Sequence, residues 1–414
     1  PFLGACAPEE EEEVTPPGEL MIPSDARIRV RCTTDLTGPI PLTCASMTVP
    51  ADEYFKHIND QGGIEFNYKG ETHRVKIDYK WADDKYDVSL AVSNYKRFLP
   101  DEPHFFLIQK SGPPEVLKET AAKDKVPILC YGVGDGSVLY DPGWVFGVTF
   151  IYSEMTGAAA DWIMDTWEET RSPKLAYLIF DSPSGRGHTT PEVLAYLEKK
   201  GIEVVDTRYF SPAAVDVTPQ LLAIKEHDPD FLLCCHSLES WCTALKNAMT
   251  VGLTPPGGGH CPMIAGSYPL DWPIIEIAGR AAEGALCPFQ YALPTEDVPA
   301  RKLAGELAKK YRGVEMPLTF EGVGIFYGRV IVEASRRALE KHGWPVTGEH
   351  IYEALQGLAG YDVGGLVATL EWDKTERRGI RAVRMVEVRQ GDLVVISDWI
   401  EMPMMKPGTW TGGS

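Results

Sequence analysis

The sequence has no apolar run approaching the roughly 20 residues that a membrane-spanning helix needs. Basic residues are also scarce: 40 Lys and Arg stand against 59 Asp and Glu, giving a formal net charge of −19. Because phosphate backbones are bound through a basic face, this charge and the absence of a basic cluster argue against a nucleic-acid partner. We therefore predict a chain that neither crosses a membrane nor binds nucleic acid.

The motifs of common enzyme sites are missing as well. No phosphate-binding loop with its Lys is present, and residues 184–187 lack the first Gly of a nucleophile elbow. Residues 132–136 follow a predicted strand, but their G-x-G-x-G spacing fails the dinucleotide fingerprint. The nine Cys form no C-x2-C pair, and His236 and His260 have no suitably spaced partners for a metal. The sequence predicts no enzyme, no cofactor and no metal site.

What the sequence does contain is a repeated alternation of strands and helices. Residues 27–32 alternate basic and apolar side chains, which predicts a strand, and residues 51–58 place four apolar side chains on one helix face. The continuous apolar stretch at residues 175–180 restarts the pattern and is typical of a buried parallel strand. Two such runs predict an α/β fold with two doubly wound parallel-sheet lobes.

The last third of the chain is too short for a third domain and is predicted to complete both sheets. Predicted strands at residues 367–372, 382–388 and 393–396 would do so, and the chain would then cross between the lobes three times. We place lobe 1 at residues 25–150 plus 288–381, lobe 2 at residues 151–287 plus 382–403, and a C-terminal tail at residues 404–414. The predicted hinges lie near residues 149–151, 287–289 and 380–383.

The N-terminal residues 1–24 have a different character. Residues 3–6, LGAC, resemble a bacterial lipobox, in which the Cys is lipidated. The acidic run at residues 9–13 and the following Pro-Pro-Gly are typical of a solvated segment that cannot pack. We predict a lipobox remnant with a lipidated Cys6 and a flexible acidic tether, which would hold a folded domain at the outer face of a membrane. The alternative is an arbitrary Cys in a terminal remnant.

Three further features of the sequence do not by themselves indicate a functional site. The pair Asp83-Asp84 is predicted to be a solvated turn. His236 suits a cleft residue and a hydrogen-bonded histidine at a strand edge equally well. Outside the cytoplasm a disulfide among Cys235, Cys242 and Cys261 is an open option, since nothing in the sequence selects a pair.

Small, polar and aromatic residues recur in the loops where predicted strands end. These loops are residues 111–112, 130–136, 150–153, 236–241 and 266–272. Gly and Ser let backbone N–H groups reach a ligand, while Tyr and Trp provide apolar walls with one polar tip. Each loop alone has an ordinary structural explanation, but their recurrence in both lobes favours a binding cleft.

Two motifs carry a family resemblance. LTGP at residues 36–39 and INDQGGI at residues 58–64 resemble the start of the substrate-binding proteins of branched-chain amino-acid ABC transporters. Looser matches extend the resemblance over about residues 27–399; they lie at residues 126–129, 282–285, 319–339 and 370–373. The resemblance implies the type I periplasmic-binding fold, with two lobes joined by three crossovers and a small molecule bound between them.

The resemblance also implies which positions contact the ligand. In that family, lobe 1 binds a carboxylate through the loops after two strands, and lobe 2 binds an ammonium group through an aromatic and an acidic residue. With Thr37 and Tyr152 added, the predicted ligand-binding residues are Thr37, Ser111, Gly112, Gly132, Val133, Gly134, Tyr152, His236, Ser237, Ser267 and Tyr268.

This set departs from the family pattern in two places. The hydroxyl of the second loop in lobe 1 is missing, and no acid aligns in lobe 2, although Glu239 and Asp271 are close in sequence. Because a buried ammonium without a carboxylate partner is costly, the fold transfers better than the ligand does. The expected ligand is amino-acid-like, an amide, or an aromatic or organic acid.

The function implied is that of an extracytoplasmic solute-binding lipoprotein of an ABC importer, which closes on its ligand by a hinge motion. Its partners would be the small molecule and the permease and ATPase subunits, with membrane contact only through the lipid anchor; we expect a monomer. The alternatives are a ligand-sensing receptor domain of the same fold and a two-domain α/β enzyme such as a nucleotide-sugar transferase.

Overall fold

A computed structural model of the chain describes residues 20–134, 136–141, 143–234, 237–266 and 270–410. The first of its two main sheets has six strands: β1 (Arg27–Thr34), β2 (Ile64–Tyr68), β3 (Glu71–Asp83), β4 (Phe105–Ile108), β5 (Ile128–Cys130) and β6 (Val145–Gly147). Their order in the sheet is β2-β3-β1-β4-β5-β6. All neighbours are parallel except β2 and β3.

The second sheet has eight strands: β7 (Lys174–Phe180), β8 (Glu203–Phe210), β9 (Phe231–Cys234), β10 (Met263–Ala265), β11 (Leu286–Phe289), β12 (Ala382–Arg389), β13 (Asp392–Val395) and β14 (Ile400–Glu401). Its order is β13-β12-β11-β10-β9-β7-β8, and β14 pairs with β12. The strands β7 to β11 pair with one another in parallel, whereas β12 runs antiparallel to β11. Late strands therefore complete the second sheet.

The helices cover both sheets: α1 (Pro41–Asp60), α2 (Val88–Phe98), α3 (Gly112–Asp124), α4 (Ser137–Tyr140), α5 (Tyr152–Thr166), α6 (Pro183–Arg186), α7 (Pro191–Lys200), α8 (Thr218–Lys225), α9 (Leu238–Thr250), α10 (Trp272–Ala278), α11 (Pro299–Arg312), α12 (Gly322–His342) and α13 (Gly348–Leu355). Among these described segments, none is both long enough and apolar enough to cross a bilayer.

Helix α12 brings the chain back to the first sheet by packing closely along α1. A Cβ at Gly324 would lie 2.5 Å from the carbonyl oxygen of Met47, and a Cβ at Gly328 would lie 2.5 Å from the Tyr54 ring. Only glycine permits this approach of the two helices. The chain thus visits the first sheet, the second sheet, the first again and finally the second.

The central strands are buried because helices cover both faces of each parallel sheet. The four residues of β4 and the four residues of β9 are all buried, as expected for strands between two helix layers. The predicted α/β fold with two parallel-sheet lobes is confirmed. Strand β11 continues past residue 287, so we propose that lobe 2 extends to Phe289; the other lobe boundaries stay predictions.

One predicted strand is wrong. Residues 367–372 form no strand, because their backbone follows a loop that begins at Gly364 and Gly365, both with positive φ. The N–H of Glu371 donates to the carbonyl of Gly379, and the indole of Trp372 donates to the carbonyl of Gly147 at 3.1 Å. The apolar pattern in this segment reflects burial of side chains that anchor a crossover, with no neighbouring strand to pair with.

The predicted disulfide candidates can be placed in part. Cys242 and Cys261 are free thiols, and Cys235 lies outside the described residues. Cys261 is fully buried, and burial raises its pKa far above the ordinary value, so the thiol is neutral. These two Cys act as small apolar side chains.

His104 joins two segments of lobe 1 and is buried. Its Nδ1 accepts a hydrogen bond from the N–H of Arg29 at 3.0 Å, so its Nε2 carries the proton and donates to the carbonyl of Val346 at 3.2 Å. Burial, with a smaller contribution from the charge of Arg29, lowers the pKa of His104 to about 4. The folded protein therefore holds this imidazole in its neutral form.

We predict that His104→Gln flattens the dependence of stability on pH. The unfolded chain protonates His104 below pH about 6.5, whereas the folded chain does so only near its own lower pKa. The stabilising contribution is complete above the unfolded pKa and is lost as pH falls, by up to about 3 kcal/mol. Urea unfolding of both proteins between about pH 7 and pH 5 measures the difference. The control is His260→Gln, at a side chain that is 60% exposed. Parallel pH curves for wild type and His104→Gln would contradict the prediction.

Candidate functional site

The carboxyl ends of strands from both sheets meet at one cleft. In lobe 1, β4 leads through Gln109, Lys110 and Ser111 into α3. In lobe 2, β7 ends at Phe180 just before α6, and β9 leads towards Ser237, the N-cap of α9. This is the edge at which open α/β sheets bind ligands.

These segments enclose a cavity of about 40 Å³. Hydroxyl groups, one amide, one ammonium group and apolar side chains line it: Thr43, Ser111, Ser184, Ser237, Tyr86, Tyr131, Tyr152, Gln109, Lys110, Ile40, Phe180, Leu238 and Phe320. Among the described residues, no carboxylate lines the cavity. A cavity of this size holds about three water molecules, so the lobes are closed on each other in this structure.

Direct contacts between the lobes accompany the closed arrangement. The N–H of Leu238 donates to the hydroxyl of Thr43 at 3.1 Å. On another side of the cavity, the backbone at Gly134 meets the short helix α6, and a Cβ at Gly134 would lie 2.2 Å from the carbonyl oxygen of Pro183. Glycine is required here because any side chain would prevent the two loops from touching.

A buried ion pair supports the cavity wall in lobe 1. The ammonium group of Lys110 donates to Asp84, and both side chains are buried. Asp84 also accepts from the Thr33 hydroxyl at 2.7 Å and from the N–H of Tyr86 at 3.0 Å. Burial raises the pKa of Asp84, and the charge of Lys110 opposes that shift. The ion pair fixes Lys110 at the end of β4, where its side chain lines the cavity.

The prediction that Asp83-Asp84 forms a solvated turn is therefore wrong for Asp84. The sequence pair resembles a surface turn because its cation, Lys110, lies 26 residues away, just after the end of β4. Asp83 is half-buried and accepts hydrogen bonds from Thr37 and from the N–H of Leu36.

Three of the predicted ligand residues line the cavity together: Ser111, Tyr152 and Ser237. The Ser111 hydroxyl donates to the Tyr152 hydroxyl at 3.3 Å, which joins the first loop of lobe 1 to the N-terminal residue of α5. Ser111 makes no side-chain capping bond to α3, so its hydroxyl is not committed to the helix. These residues are the strongest of the predicted contacts.

Other predicted residues lie outside the cavity lining for identifiable reasons. The hydroxyl of Thr37 donates to Asp83 at 2.5 Å and closes a surface loop. Gly112 begins α3 and faces Val88. The N–H of Gly132 donates to the Thr149 hydroxyl at 2.8 Å.

Two more residues of the second loop have structural positions. Val133 forms a bridge with Ile151 where the chain first leaves lobe 1, and Gly134 contacts Pro183 as described above. This loop contributes to the contact between the lobes, and the role of Gly132, Val133 and Gly134 as ligand contacts stays a prediction. His236, Ser267, Tyr268 and the predicted lipidation site Cys6 lie outside the described residues.

Several lining residues were not predicted from the sequence. Phe180 ends β7 at the position where ligand loops begin, so its place was available from the strand pattern. Lys110 directly precedes Ser111 and could have been found by the same reasoning. Phe320 reaches the cavity from the short helix before α12, far from any strand end, and no sequence signal indicates it.

Within the part of the chain that the structure describes, no group of three or more His, Cys, Asp or Glu side chains is placed to bind a metal ion. His188 is a buried histidine that contacts Thr156 at 2.7 Å and packs against the Tyr152 ring. Burial lowers the pKa of His188 to about 3, so it is neutral. The cavity is lined by residues of both lobes, an arrangement that lets a bound molecule contact the two lobes at once.

A comparison with protein families supplies the decisive observation: the family described as "Periplasmic binding protein" matches residues 28–392. The chain belongs to the periplasmic binding protein family. This membership confirms the family resemblance found in the sequence and implies a place outside the cytoplasm. A search of curated proteins gives no match.

Solved structures of this family share the fold at low sequence identity. A branched-chain amino-acid ABC transporter protein from Thermus thermophilus with bound valine is 22% identical, with a TM-score of 0.79 over 91% of this chain and 97% of that one. A fatty acid ABC transporter substrate-binding protein from Thermomonospora curvata is 20% identical, with a TM-score of 0.80 over 94% and 96%. A solute-binding protein from R. palustris in complex with benzoate is 14% identical, with a TM-score of 0.72 over 90% and 96%.

We predict that Asp84→Ala destabilises this periplasmic binding protein by about 3–5 kcal/mol, because it leaves the buried Lys110 ammonium group without its carboxylate partner. The double variant Asp84→Ala/Lys110→Met removes both charges and should recover most of the loss. Urea unfolding followed by circular dichroism measures both values. If the single and double variants lose equal stability, the unpaired charge of Lys110 is not the cause of the loss, and the prediction is contradicted.

Proposed function

We propose that this periplasmic binding protein delivers a small carboxylic acid to the permease of an ABC importer. The observation that carries the proposal is the cavity between the lobes, which is lined by residues from the strand ends of both sheets. A ligand held there contacts both lobes at once and therefore favours the closed arrangement over the open one.

The chemistry of the lining supports a ligand with an apolar body and a polar head. Aromatic side chains form its walls: Tyr86, Tyr131, Tyr152, Phe180 and Phe320. The Ser111 hydroxyl and the Lys110 ammonium group are neighbours along the chain, and a carboxylate beside them would have a hydroxyl donor and an ammonium group that it shares with Asp84. Valine, fatty acids and benzoate, which the similar structures are named for, share only a carboxylate.

Among the ligand classes expected from the sequence, aromatic and organic acids agree best with this lining. An amino acid would need an acidic partner for its ammonium group, and the described lining residues include none. The amide class lacks the charge that Lys110 would meet. An aromatic or aliphatic carboxylic acid uses both the rings and the cation.

We also propose that a lipid on Cys6 holds the protein to the membrane and that the protein acts as a monomer. The acidic run that follows Cys6 would keep the folded lobes away from an anionic membrane surface. Replacing Cys6 by Ser in the native host should move the protein from the membrane fraction to the soluble fraction. Retention of the variant in the membrane fraction would contradict the lipid anchor.

We predict that carboxylic acids raise the melting temperature more than matched compounds without the carboxylate. Two pairs differ in the carboxylate: benzoate with benzamide, and octanoate with octanamide. A third pair, valine with 3-methylbutanoate, keeps the carboxylate and differs in the ammonium group. A probe at about a hundred times its dissociation constant adds roughly 2.7 kcal/mol of stability. Thermal-shift measurements, followed by calorimetry on the best probe, test the prediction.

The variant for the same experiment is Ser111→Ala, which should weaken the best probe about tenfold through loss of one hydrogen bond to a charged group. Ser93→Ala, at an exposed position on α2, is the matched control and should leave binding unchanged. If valine binds and 3-methylbutanoate does not, the choice of ligand class is overturned. Binding and turnover of a nucleotide sugar would overturn the transport function.

A further inference from the structure

A buried junction joins the two lobes beside the cavity. Asp271 lies in lobe 2 as the N-cap of α10, and Thr319 lies in lobe 1 just before α12. Oδ2 of Asp271 accepts from the N–H of Thr319 at 2.7 Å and from its hydroxyl at 2.6 Å. The same hydroxyl lies 3.2 Å from the carbonyl oxygen of Leu270, also in lobe 2. One carboxylate therefore binds two donors of the opposite lobe.

Both members of the junction are only 1% exposed, so their charge and hydrogen bonds are removed from water. Arg301 of α11 provides the compensating charge in lobe 1. It donates to the carbonyl of Thr319 at 2.8 Å and to the carbonyl of Ala292 at 2.6 Å, and its buried Nη1 has no hydrogen-bond partner among the described residues. A buried carboxylate is tolerated when it has such donors and a nearby cation.

The junction is coupled to the cavity through the residue next to Thr319. Phe320 follows Thr319 directly and lines the cavity. In the sequence, Asp271 lies three residues after Tyr268. Asp271 itself is not among the lining residues, so its carboxylate acts on the other lobe and not on a ligand.

We propose that Asp271 and Thr319 form an interlobe latch that stabilises the closed arrangement and positions Phe320 against the ligand. Opening the cleft separates lobe 2 from lobe 1, so these hydrogen bonds exist only in the closed form. A protein whose closed form is already stabilised in this way loses less ligand affinity to the work of closing. The proposed function is needed only to explain why closing is useful to the protein. The latch itself can be tested without a ligand.

The junction also makes closure respond to pH. Burial raises the pKa of Asp271 to about 6 in the closed form. In the open form the carboxyl meets water and its pKa returns towards the ordinary value near 3.9. Closing therefore takes up a proton between these values, and the closed form gains relative stability as pH falls. The charged groups that act on the junction are Arg301 and, through it, Glu321 and Glu296.

The test measures the ligand-free protein by single-molecule FRET, with one dye at Leu90 on α2 and the other at Leu222 on α8. Both positions are exposed and belong to different lobes. Asp271→Ala should lower the ratio of closed to open molecules about five- to tenfold, and Thr319→Val, which keeps the N–H, should lower it about threefold. Asp25→Ala, in the exposed turn before β1, is the control and should leave the ratio unchanged.

A double-mutant cycle and a pH series complete the test. The double variant Asp271→Ala/Thr319→Val should open the protein no more than Asp271→Ala alone, because both changes remove the same contact. Asp271→Asn should lose the pH dependence of the ratio between about pH 7 and pH 5. Additive effects, or an unchanged ratio in Thr319→Val, would overturn the latch; Thr319→Val decides the question if Asp271→Ala does not fold. Failure of every carboxylate probe to bind would leave this result standing.

Discussion

The structure depends on one constraint: the central strands of both sheets are covered on both faces. Buried strands such as β4 and β9 have no face left for a ligand, so only their carboxyl ends are available for binding. Two sheets arranged with these ends towards each other give a cleft, and the crossovers between them give it the freedom to close. The position of the cavity follows from this arrangement before any particular side chain is considered.

The small cavity determines how ligand binding and direct contact between the lobes affect each other. About 40 Å³ remains between the lobes when they touch through Leu238 and Thr43. A carboxylic acid larger than a few water molecules must therefore hold the lobes slightly apart or replace that contact with its own. Ligand binding and direct contact between the lobes then compete for the same donors, and the affinity depends on the difference between the two.

The fold was accessible from the sequence because its signals are local. Continuous apolar stretches mark β7 and β9, and the motifs at residues 36–39 and 58–64 carry the family resemblance. The wrong strand at residues 367–372 shows the limit of that reasoning, since side chains that anchor a crossover have the same pattern as side chains in a sheet. Whether a segment pairs depends on a neighbour that the local pattern does not reveal.

The site was accessible only where it coincides with strand ends. Ser111 and Ser237 were found this way, whereas Phe320 arrives through the packing of α12 on α1. The ion pair of Asp84 with Lys110 and the junction of Asp271 with Thr319 join residues 26 and 48 positions apart. Such pairs require the tertiary structure, because each partner alone resembles an ordinary polar residue.

The contact of Gly134 with Pro183 acts as a mechanical stop. It is made by backbone, which cannot rotate out of the way as a side chain can, so it limits how far the lobes approach. A ligand that fits within this limit lets the lobes reach the same final angle whatever its detailed shape. A bulkier ligand stops closure at a wider angle between the lobes. The outer surface of the protein then differs with the size of the bound ligand.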